Sequence, residues 1–172
     1  MLQTARLTIE PLTLSDAPFI LTLLNDPDFM AQIADRGIRD EAAARRYLEE
    51  GPLASYREHG FGLWAVRQRD GGETLGMCGL LQRPTLADVD IGYALLPGAR
   101  GRGLAREAAQ AVLHYARDTL GLASLVAIVA PGNAPSRALL EGLGFEHERM
   151  VQLTPEAEHL CLYRWGASEP VA

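Results

Sequence analysis

An apolar strand, a turn with two glycines and an amphipathic helix follow one another between Ile91 and Tyr115. The helix is predicted for residues 103–120 because apolar residues recur there at helical spacing. Gly101 and Gly103, in the turn, let a ligand approach the backbone closely. The first amides of a helix have no partner within it, and no Ser, Thr, Asp or Asn stands at this start to cap them. The chain therefore contains a strand–turn–helix unit whose helix begins with open amides.

Three arginines, Arg100, Arg102 and Arg106, surround this helix start. Cations at the positive end of a helix dipole are unfavourable by about 0.3–1 kcal/mol each. A bound anion would accept hydrogen bonds from the open amides and would neutralise the arginines, and phosphate is the usual anion at such a site. The other interpretation is a surface turn with its arginines in water. The chain contains no lysine, which excludes a Walker A loop. Arg106 replaces the last small residue of the dinucleotide fingerprint, which excludes that motif as well.

The spacing of apolar residues and of Gly and Pro predicts one α/β domain over residues 1–172. The predicted strands are 5–12, 61–69, 74–82, 87–96, 124–130, 144–151 and 159–165, and the predicted helices are 13–24, 41–58, 103–120 and 135–142. Residues 28–39 and 166–172 are predicted to be irregular. A helix links strands 87–96 and 124–130, so these two are predicted to be parallel.

The bulk properties exclude several functional classes. A net charge of −6 over 172 residues argues against broad nucleic-acid binding. No apolar run approaches the roughly 18 residues of a membrane span, and the first ten residues have no apolar signal core, so a cytoplasmic location is expected. Cys78 and Cys161 are predicted to be buried free thiols. The spacing of His and Cys residues predicts no metal site.

Residues 100–105 (Arg-Gly-Arg-Gly-Leu-Ala) fit the Gln/Arg-x-x-Gly-x-Gly/Ala pyrophosphate loop of the GNAT N-acetyltransferases. Residues 91–97 resemble the fourth strand of that family. Residues 133–136 (Asn-Ala-Pro-Ser) and 143–145 (Leu-Gly-Phe) resemble its later motif. The likeness is closest to the RimJ/RimL-like branch. It implies a mixed, mostly antiparallel sheet of seven strands, with helices on both faces and a splayed parallel pair.

The resemblance implies acetyl-CoA as the cosubstrate and assigns residues to it. The pyrophosphate loop comprises Arg100, Gly101, Arg102, Gly103, Leu104 and Ala105. Backbone groups of Ala94, Leu95 and Leu96 are expected to pair with the pantetheine arm. Asn133 is expected to bond the pantetheine side, although a turn residue after a strand would look the same.

The catalytic candidates are Asp90 and Ser136. Asp90 is a candidate base that removes a proton from the attacking amine; the alternative is a solvated strand face. Ser136 is the proposed donor to the departing sulfur, because Leu140 stands where many GNAT enzymes carry a tyrosine. The alternative for Ser136 is a first-turn serine that bonds backbone. By analogy, Phe29, Ile33, Arg36 and Tyr56 contact the acceptor, unless they only plug a helix–helix connection.

The predicted function is acetyl transfer to a primary amine, either a protein N-terminal α-amine or a small amine such as a polyamine, an amino acid or an aminoglycoside. A non-catalytic domain that senses acyl-CoA is the alternative from another class. Asp26, Asp28, Asp35 and Asp40 indicate a cationic acceptor, or else solvated charge. The sequence allows a monomer or a homodimer.

Overall fold

The computed structural model describes residues 1–166. Its strands are β1 (Leu2–Gln3), β2 (Leu7–Pro11), β3 (Leu63–Gln68), β4 (Thr74–Leu81), β5 (Asp90–Leu95), β6 (Ser124–Val129), β7 (Glu146–Val151) and β8 (Leu160–Gly166). Its α-helices are α1 (Ala17–Leu24), α2 (Pro27–Gln32), α3 (Glu41–Leu48), α4 (Ala54–His59), α5 (Leu104–Asp118) and α6 (Ala134–Gly142). Of the tail predicted to be irregular, 166–172, Gly166 ends β8 instead, and residues 167–172 lie outside the described residues.

One sheet holds all the strands, in the order β1-β2-β3-β4-β5-β6-β8-β7. Neighbours pair antiparallel except β5 and β6, which are parallel, so the predicted mixed sheet is confirmed. The sheet of residues 1–166 has eight strands where the sequence predicted seven. The additional strand is β1, which places Leu2 opposite Ile9. Two residues are too few to show an alternating pattern.

Strand alternation builds a core on each face of the sheet. Trp64 and Val66 pack on the face covered by α5, whereas Leu63 and Ala65 pack on the face covered by α1, α2 and α3. Helix α5 contributes buried residues four apart along one side, among them Leu104, Ala108, Val112 and Ala116. The predicted helices on both faces are thereby confirmed.

The segment before β3 departs from prediction in two places. Residues 27–32, predicted in part to be irregular, form α2, whose first turn is capped by Asp26 through a 3.1 Å bond from the Phe29 amide. The single predicted helix 41–58 is instead α3 and α4 joined by a wider π-helical turn, Glu49–Leu53. Pro52 lies in this turn, and its missing N–H prevents regular α-helical bonding there.

Strands β5 and β6 separate towards their C-terminal ends. Asp90 lies opposite Val126, which is the one Cα partner between these strands, and the Val126 amide donates to the Val89 carbonyl at 3.0 Å. Beyond this point the two backbones diverge, and they leave an opening between residues 91–95 and 127–129. Crevices at the carboxyl ends of parallel strands are where open α/β sheets bind ligands.

Candidate active site

The loop between β5 and α5 presents a run of open amides. Gly101 and Gly103 have φ values of 73° and 76°, which an L side chain rarely adopts. Gly103 is the N-cap of α5 and supplies no side-chain cap. The amides of residues 101–106 donate to no acceptor within residues 1–166. Backbone amides at the start of a 15-residue helix form a site for an anion.

The arginines of this loop point elsewhere. The Arg100 side chain contacts Asp26, Asp28 and the Leu95 carbonyl, and its amide donates to Pro97. The Arg106 guanidinium donates to the Gly142 carbonyl at 3.1 Å. The prediction that the guanidinium groups of Arg100 and Arg106 crowd the start of α5 is therefore wrong. The Arg100 amide is also bonded, so it adds no open amide to the loop. The open amides of residues 101–106 are therefore the candidate anion site, and Arg102, which is exposed, is the arginine of the three whose guanidinium has no such contact among residues 1–166.

The edge of β5 shows which backbone groups face the opening. The Leu96 amide donates to Leu75 on β4 at 2.8 Å, and the Leu96 carbonyl accepts from Ala99 at 3.0 Å. Successive residues of a strand direct their polar groups to opposite sides. The Ala94 carbonyl accordingly occupies the space that a Cβ on Gly76, in β4, would need.

This register corrects the predicted pantetheine contacts. The backbone groups of Ala94 and Leu96 are turned towards β4 or already bonded within the protein, so neither serves an arm lying in the opening. Leu95 and Tyr93 alternate with them and face β6. The sequence did not predict Tyr93 as a residue whose backbone faces the opening. The pairing register between β5 and β4 identifies it.

Asp90 lies at the base of the opening and, by strand alternation with Ala94, on the face of α1–α3. Its side chain is 1% exposed, and Arg83 pairs with its carboxylate at 3.2 Å. Burial raises the pKa of Asp90, and the charge and hydrogen bond of Arg83 oppose that shift. A base must come within about 3 Å of the proton that it accepts, directly or through one water. Because Asp90 is buried, it can reach an amine in this arrangement only through a water.

Asp88, two residues earlier, lies outside the strand. The predicted strand 87–96 begins at Asp90, and Asp88 instead pairs with Arg164 of β8 at 3.1 Å. Asp88 and Asp90 therefore share no strand face, and only Asp90 belongs to β5.

Ser136 lies in the first turn of α6, across the opening from β5. Its Oγ is 2.6 Å from the hydroxyl of Tyr93, and burial raises the Tyr93 pKa to about 12. Asn133 is the N-cap of α6, and its Oδ1 accepts from the Ser136 amide at 3.3 Å. Leu140 is 1% exposed and packs in the core. Ser136 therefore lies where the opening meets α6. Asn133 caps the helix through Oδ1, and its expected bond to pantetheine stays a prediction.

The predicted acceptor residues separate into two groups. Phe29 is 4% exposed and belongs to the core under α1 and α3. The Tyr56 hydroxyl accepts from the Leu12 amide at 3.0 Å and donates to the Leu63 carbonyl. The burial of Phe29 argues against direct contact with an acceptor, whereas Tyr56 is partly buried and stays a prediction. Ile33 is 49% exposed and Arg36 is exposed, so these two remain predictions.

The acidic residues near the acceptor loop already have partners. Arg100 binds Asp26 and Asp28 at 2.6 Å each, and Arg39 binds Asp35 at 2.7 Å. Asp40 caps α3 by accepting from the Ala43 amide at 2.7 Å. Asp26 is buried in its pair with Arg100, which argues against a part in binding a cationic acceptor, whereas Asp28 and Asp35 are exposed charges.

The cysteines were correctly predicted, since Cys78 and Cys161 are both free and buried. Within residues 1–166, no three His, Cys, Asp or Glu side chains come close enough to hold a metal ion. None of the helices in the same range combines the length and apolar character that crossing a bilayer requires.

Comparison with known proteins decides the family. The model of the acetyltransferase (GNAT) domain matches residues 6–146. The chain belongs to the GNAT acetyltransferase family. This GNAT protein is 31% identical over 160 residues to the probable N-acetyltransferase YjcK of Bacillus subtilis, covering 88% of this chain and 87% of that one.

Solved structures agree with the family. An acetyltransferase from Agrobacterium tumefaciens superposes with a TM-score of 0.81 at 29% identity, covering 96% of this chain and 94% of that one. A RimL ribosomal-protein acetyltransferase in complex with coenzyme A has a TM-score of 0.78 at 18% identity, covering 95% of each chain. The second likeness shows the fold alone. The GNAT protein described here is an N-acetyltransferase.

Proposed function

We propose that this GNAT enzyme transfers the acetyl group of acetyl-CoA directly to a primary amine. The observation that carries the proposal is the run of open amides at residues 101–106, which fits the diphosphate of coenzyme A. Gly103 supports the fit because its lack of a side chain keeps these amides accessible. Acetyl-CoA, when bound, supplies the activated thioester.

The pantetheine arm is proposed to lie in the opening between β5 and β6. Tyr93 and Leu95 direct backbone N–H and C=O groups into this opening, as the register with β4 requires. Pantetheine is an amide chain that can pair with such an edge. The Arg100 Nε already binds the Leu95 carbonyl at 3.1 Å. The amide and carbonyl of Tyr93 are therefore the proposed partners of the arm, and the Leu95 amide is left free for another acceptor.

The acceptor amine is proposed to enter from the face of α1–α3. Asp90 lies on that face, and Ser136 contacts Tyr93 on the other. An amine must lose a proton to attack, and Asp90 is the proposed acceptor of that proton through a water. The Leu95 amide is the proposed donor to the oxygen that becomes negative during transfer. Ser136 is the proposed donor to the departing sulfur.

The proposed acceptor is a monoamine, with a peptide α-amine preferred because the sequence resembles the RimJ/RimL-like branch. A polyamine site needs carboxylates that are free to bind several cations. Asp26, Asp28 and Asp35 are each bound to an arginine of this chain. The buried pair of Asp26 supports a monoamine over a polyamine, whereas the pairs of Asp28 and Asp35 are exposed and contribute little to this argument.

A thiol-release screen with acetyl-CoA tests the proposal against N-terminal peptides, single amino acids, aminoglycosides and polyamines. The expected result is free thiol released in step with acetylated amine, with peptides or monoamines turning over faster than spermidine. The matched control is Gly103→Glu, which should lose activity with every amine. Tight binding of acetyl-CoA without turnover over the whole panel would instead favour the acyl-CoA sensor.

A further inference from the structure

The hydroxyl groups of Tyr93 and Ser136 join the two sides of the opening. Tyr93 belongs to β5, and Ser136 lies in the first turn of α6, the helix that follows β6 in the chain. Their oxygens are 2.6 Å apart, although the backbones of β5 and β6 no longer pair at this level. A side-chain hydrogen bond thus replaces the missing backbone bonds where the pantetheine arm is proposed to end.

Two arrangements of protons are compatible with this contact. In the first, Tyr93 donates to Ser136 Oγ, which leaves the Ser136 proton free to point into the opening. In the second, Ser136 donates to Tyr93, whose own proton then reaches the Ser136 carbonyl at 3.3 Å. The second arrangement uses both protons inside the protein and leaves none for a ligand.

The first arrangement has the better chemistry. A phenol is a more acidic donor than an alcohol, so the short 2.6 Å contact favours donation from Tyr93 to Ser136 Oγ. The competing contact to the Ser136 carbonyl is 0.7 Å longer (3.3 against 2.6 Å). Helix α6 itself offers no phenol one turn later, because Leu140 is there and is buried.

We propose that Tyr93 is a positioning residue that donates to Ser136 Oγ and directs the Ser136 hydroxyl proton towards the sulfur of coenzyme A. This inference rests on the proposed function, since it assumes that coenzyme A lies in the opening. Ser136 then donates a hydrogen bond to the sulfur as the carbon–sulfur bond breaks and sulfur keeps the electron pair. Tyr93 contacts Ser136 and not the sulfur.

Tyr93 performs this role without changing its charge. Burial raises the Tyr93 pKa to about 12, and the hydrogen bond with Ser136 lowers it only in part. Cys78, opposite Tyr93 on β4, is the titratable group that faces it there. Burial also raises the Cys78 pKa, so the thiol stays neutral. The Tyr93 hydroxyl and the Cys78 thiol are therefore both uncharged in the folded protein near neutral pH.

The test measures the pKa of the coenzyme A thiol when it is bound to the full-length protein. Thiolate formation is followed by ultraviolet absorbance during a pH titration, and affinity is measured by calorimetry. A hydrogen bond from Ser136 stabilises the thiolate, so the wild type should lower the thiol pKa below that of free coenzyme A. The expected shift is about one unit, the size of one net hydrogen bond.

Three variants and one control separate the possibilities. Ser136→Ala, Tyr93→Phe and the double variant should each return the thiol pKa to nearly the same value, because the two hydroxyls act as one unit. Affinity for coenzyme A should change less than threefold. Tyr115→Phe removes a hydroxyl from α5 in the same core and should titrate like the wild type. Thermal unfolding confirms that each variant is folded.

Each other outcome overturns the inference. A Tyr93→Phe protein that titrates like the wild type, while Ser136→Ala is shifted, removes Tyr93 from the positioning role. A lower thiol pKa in Tyr93→Phe shows that Tyr93 had withheld the Ser136 proton, as in the second arrangement. An unshifted Ser136→Ala places the sulfur away from Ser136. Absence of coenzyme A binding by the wild type refutes the proposed function itself, which calorimetry shows before any titration.

Discussion

The guanidinium of Arg100 lies 2.6 Å from the buried carboxylate of Asp26, a residue 74 positions away in the sequence. The same side chain binds Asp28 at 2.6 Å and the Leu95 carbonyl at 3.1 Å. Asp26 also caps α2 through the Phe29 amide. One arginine therefore links the start of the anion loop, the open edge of β5 and the N-terminus of α2.

Asp26→Asn should destabilise the protein and weaken coenzyme A binding modestly. The amide keeps a capping oxygen but loses the charge that holds Arg100, so the expected loss is about 1–2 kcal/mol, reduced from a fully buried pair by the partial exposure of Arg100. Coenzyme A affinity should fall several-fold because the loop loses an anchor. Urea unfolding and calorimetry measure the two effects.

Asp28→Asn is the matched control for this prediction. Asp28 meets the same guanidinium at the same distance, but its side chain is 73% exposed. Exposed ion pairs contribute little, so its unfolding free energy should remain close to that of the wild type. Equal losses in the two variants would mean that burial at Asp26 is unimportant.

The order of elements follows from short-range patterns, which is why most of the fold could be predicted. The alternation in β3 separates Leu63 and Ala65 from Trp64 and Val66, and the structure places these pairs in two different cores. The crossover helix made β5 and β6 parallel. Helix α2 and strand β1 were missed because six and two residues are too short for a periodic signal.

In the candidate site, too, features set by neighbouring residues could be predicted, whereas contacts between residues far apart in the sequence could not. Two glycines and a missing cap are local features, and they locate the open amides of residues 101–106. The direction of the Arg100 side chain depends on Asp26, and the contact between Tyr93 and Ser136 spans 43 positions. A shift of one residue exchanges the two sides of a strand, so the choice between Ala94 and Leu95 required the register with β4.

Gly103→Glu should reduce coenzyme A affinity by at least about 100-fold, equivalent to about 2.7 kcal/mol. The substitution adds a carboxylate beside the amides of α5, where the diphosphate is proposed to bind. It also forces a side chain onto a φ of 76°, which costs about 1–2 kcal/mol of stability. Calorimetry with coenzyme A measures the affinity of the folded variant.

Gly72→Glu separates these two effects. Gly72 has a φ of 65° in the turn between β3 and β4, and a Cβ there meets no heavy atom within 4 Å. It carries the same strain and charge away from the anion loop. Its coenzyme A affinity should equal that of the wild type. Unchanged affinity in Gly103→Glu would mean that the diphosphate binds elsewhere.

Asp90→Asn should lower kcat by about 10- to 100-fold while acetyl-CoA affinity stays within a factor of two. Burial raises the pKa of Asp90 against the opposing effect of Arg83. As a base, Asp90 works only when ionised, so wild-type kcat should rise with pH through this raised pKa. This fall of kcat towards acidic pH should disappear in the Asp90→Asn variant.

Asp88→Asn provides the comparison for Asp90. This substitution removes the same charge two residues away, from a carboxylate that pairs with Arg164. The variant should keep most of kcat and the same fall of kcat at acidic pH as the wild type. Stopped assays of thiol release across the pH range give both profiles, with an amine identified by the screen. Wild-type kcat at every pH in Asp90→Asn would leave Asp90 with only the structural role of holding Arg83.

Glu107→Gln should destabilise the protein near neutral pH by about 1 kcal/mol, and this difference should vanish in acid. Glu107, in the first turn of α5, accepts from the Thr4 hydroxyl at 2.6 Å and from the Arg6 amide and Nε at 2.9 and 2.7 Å. Burial alone would raise its pKa, but the bonds from Thr4 and Arg6 outweigh burial, and the pKa is lowered from 4.5.

The sign of the pH dependence follows from this lowered pKa. A carboxyl with a lower pKa in the folded state stabilises the protein fully above its unfolded pKa and loses that contribution as pH falls through the folded one. The unfolding free energies of wild type and Glu107→Gln should therefore converge as pH falls from about 4.5 downwards. Arg6 also donates to the Arg102 carbonyl at 2.8 Å, so the variant should bind coenzyme A slightly more weakly at pH 7. A difference in stability that persists undiminished well below the lowered pKa of Glu107 would show that its hydrogen bonds do not depend on its charge.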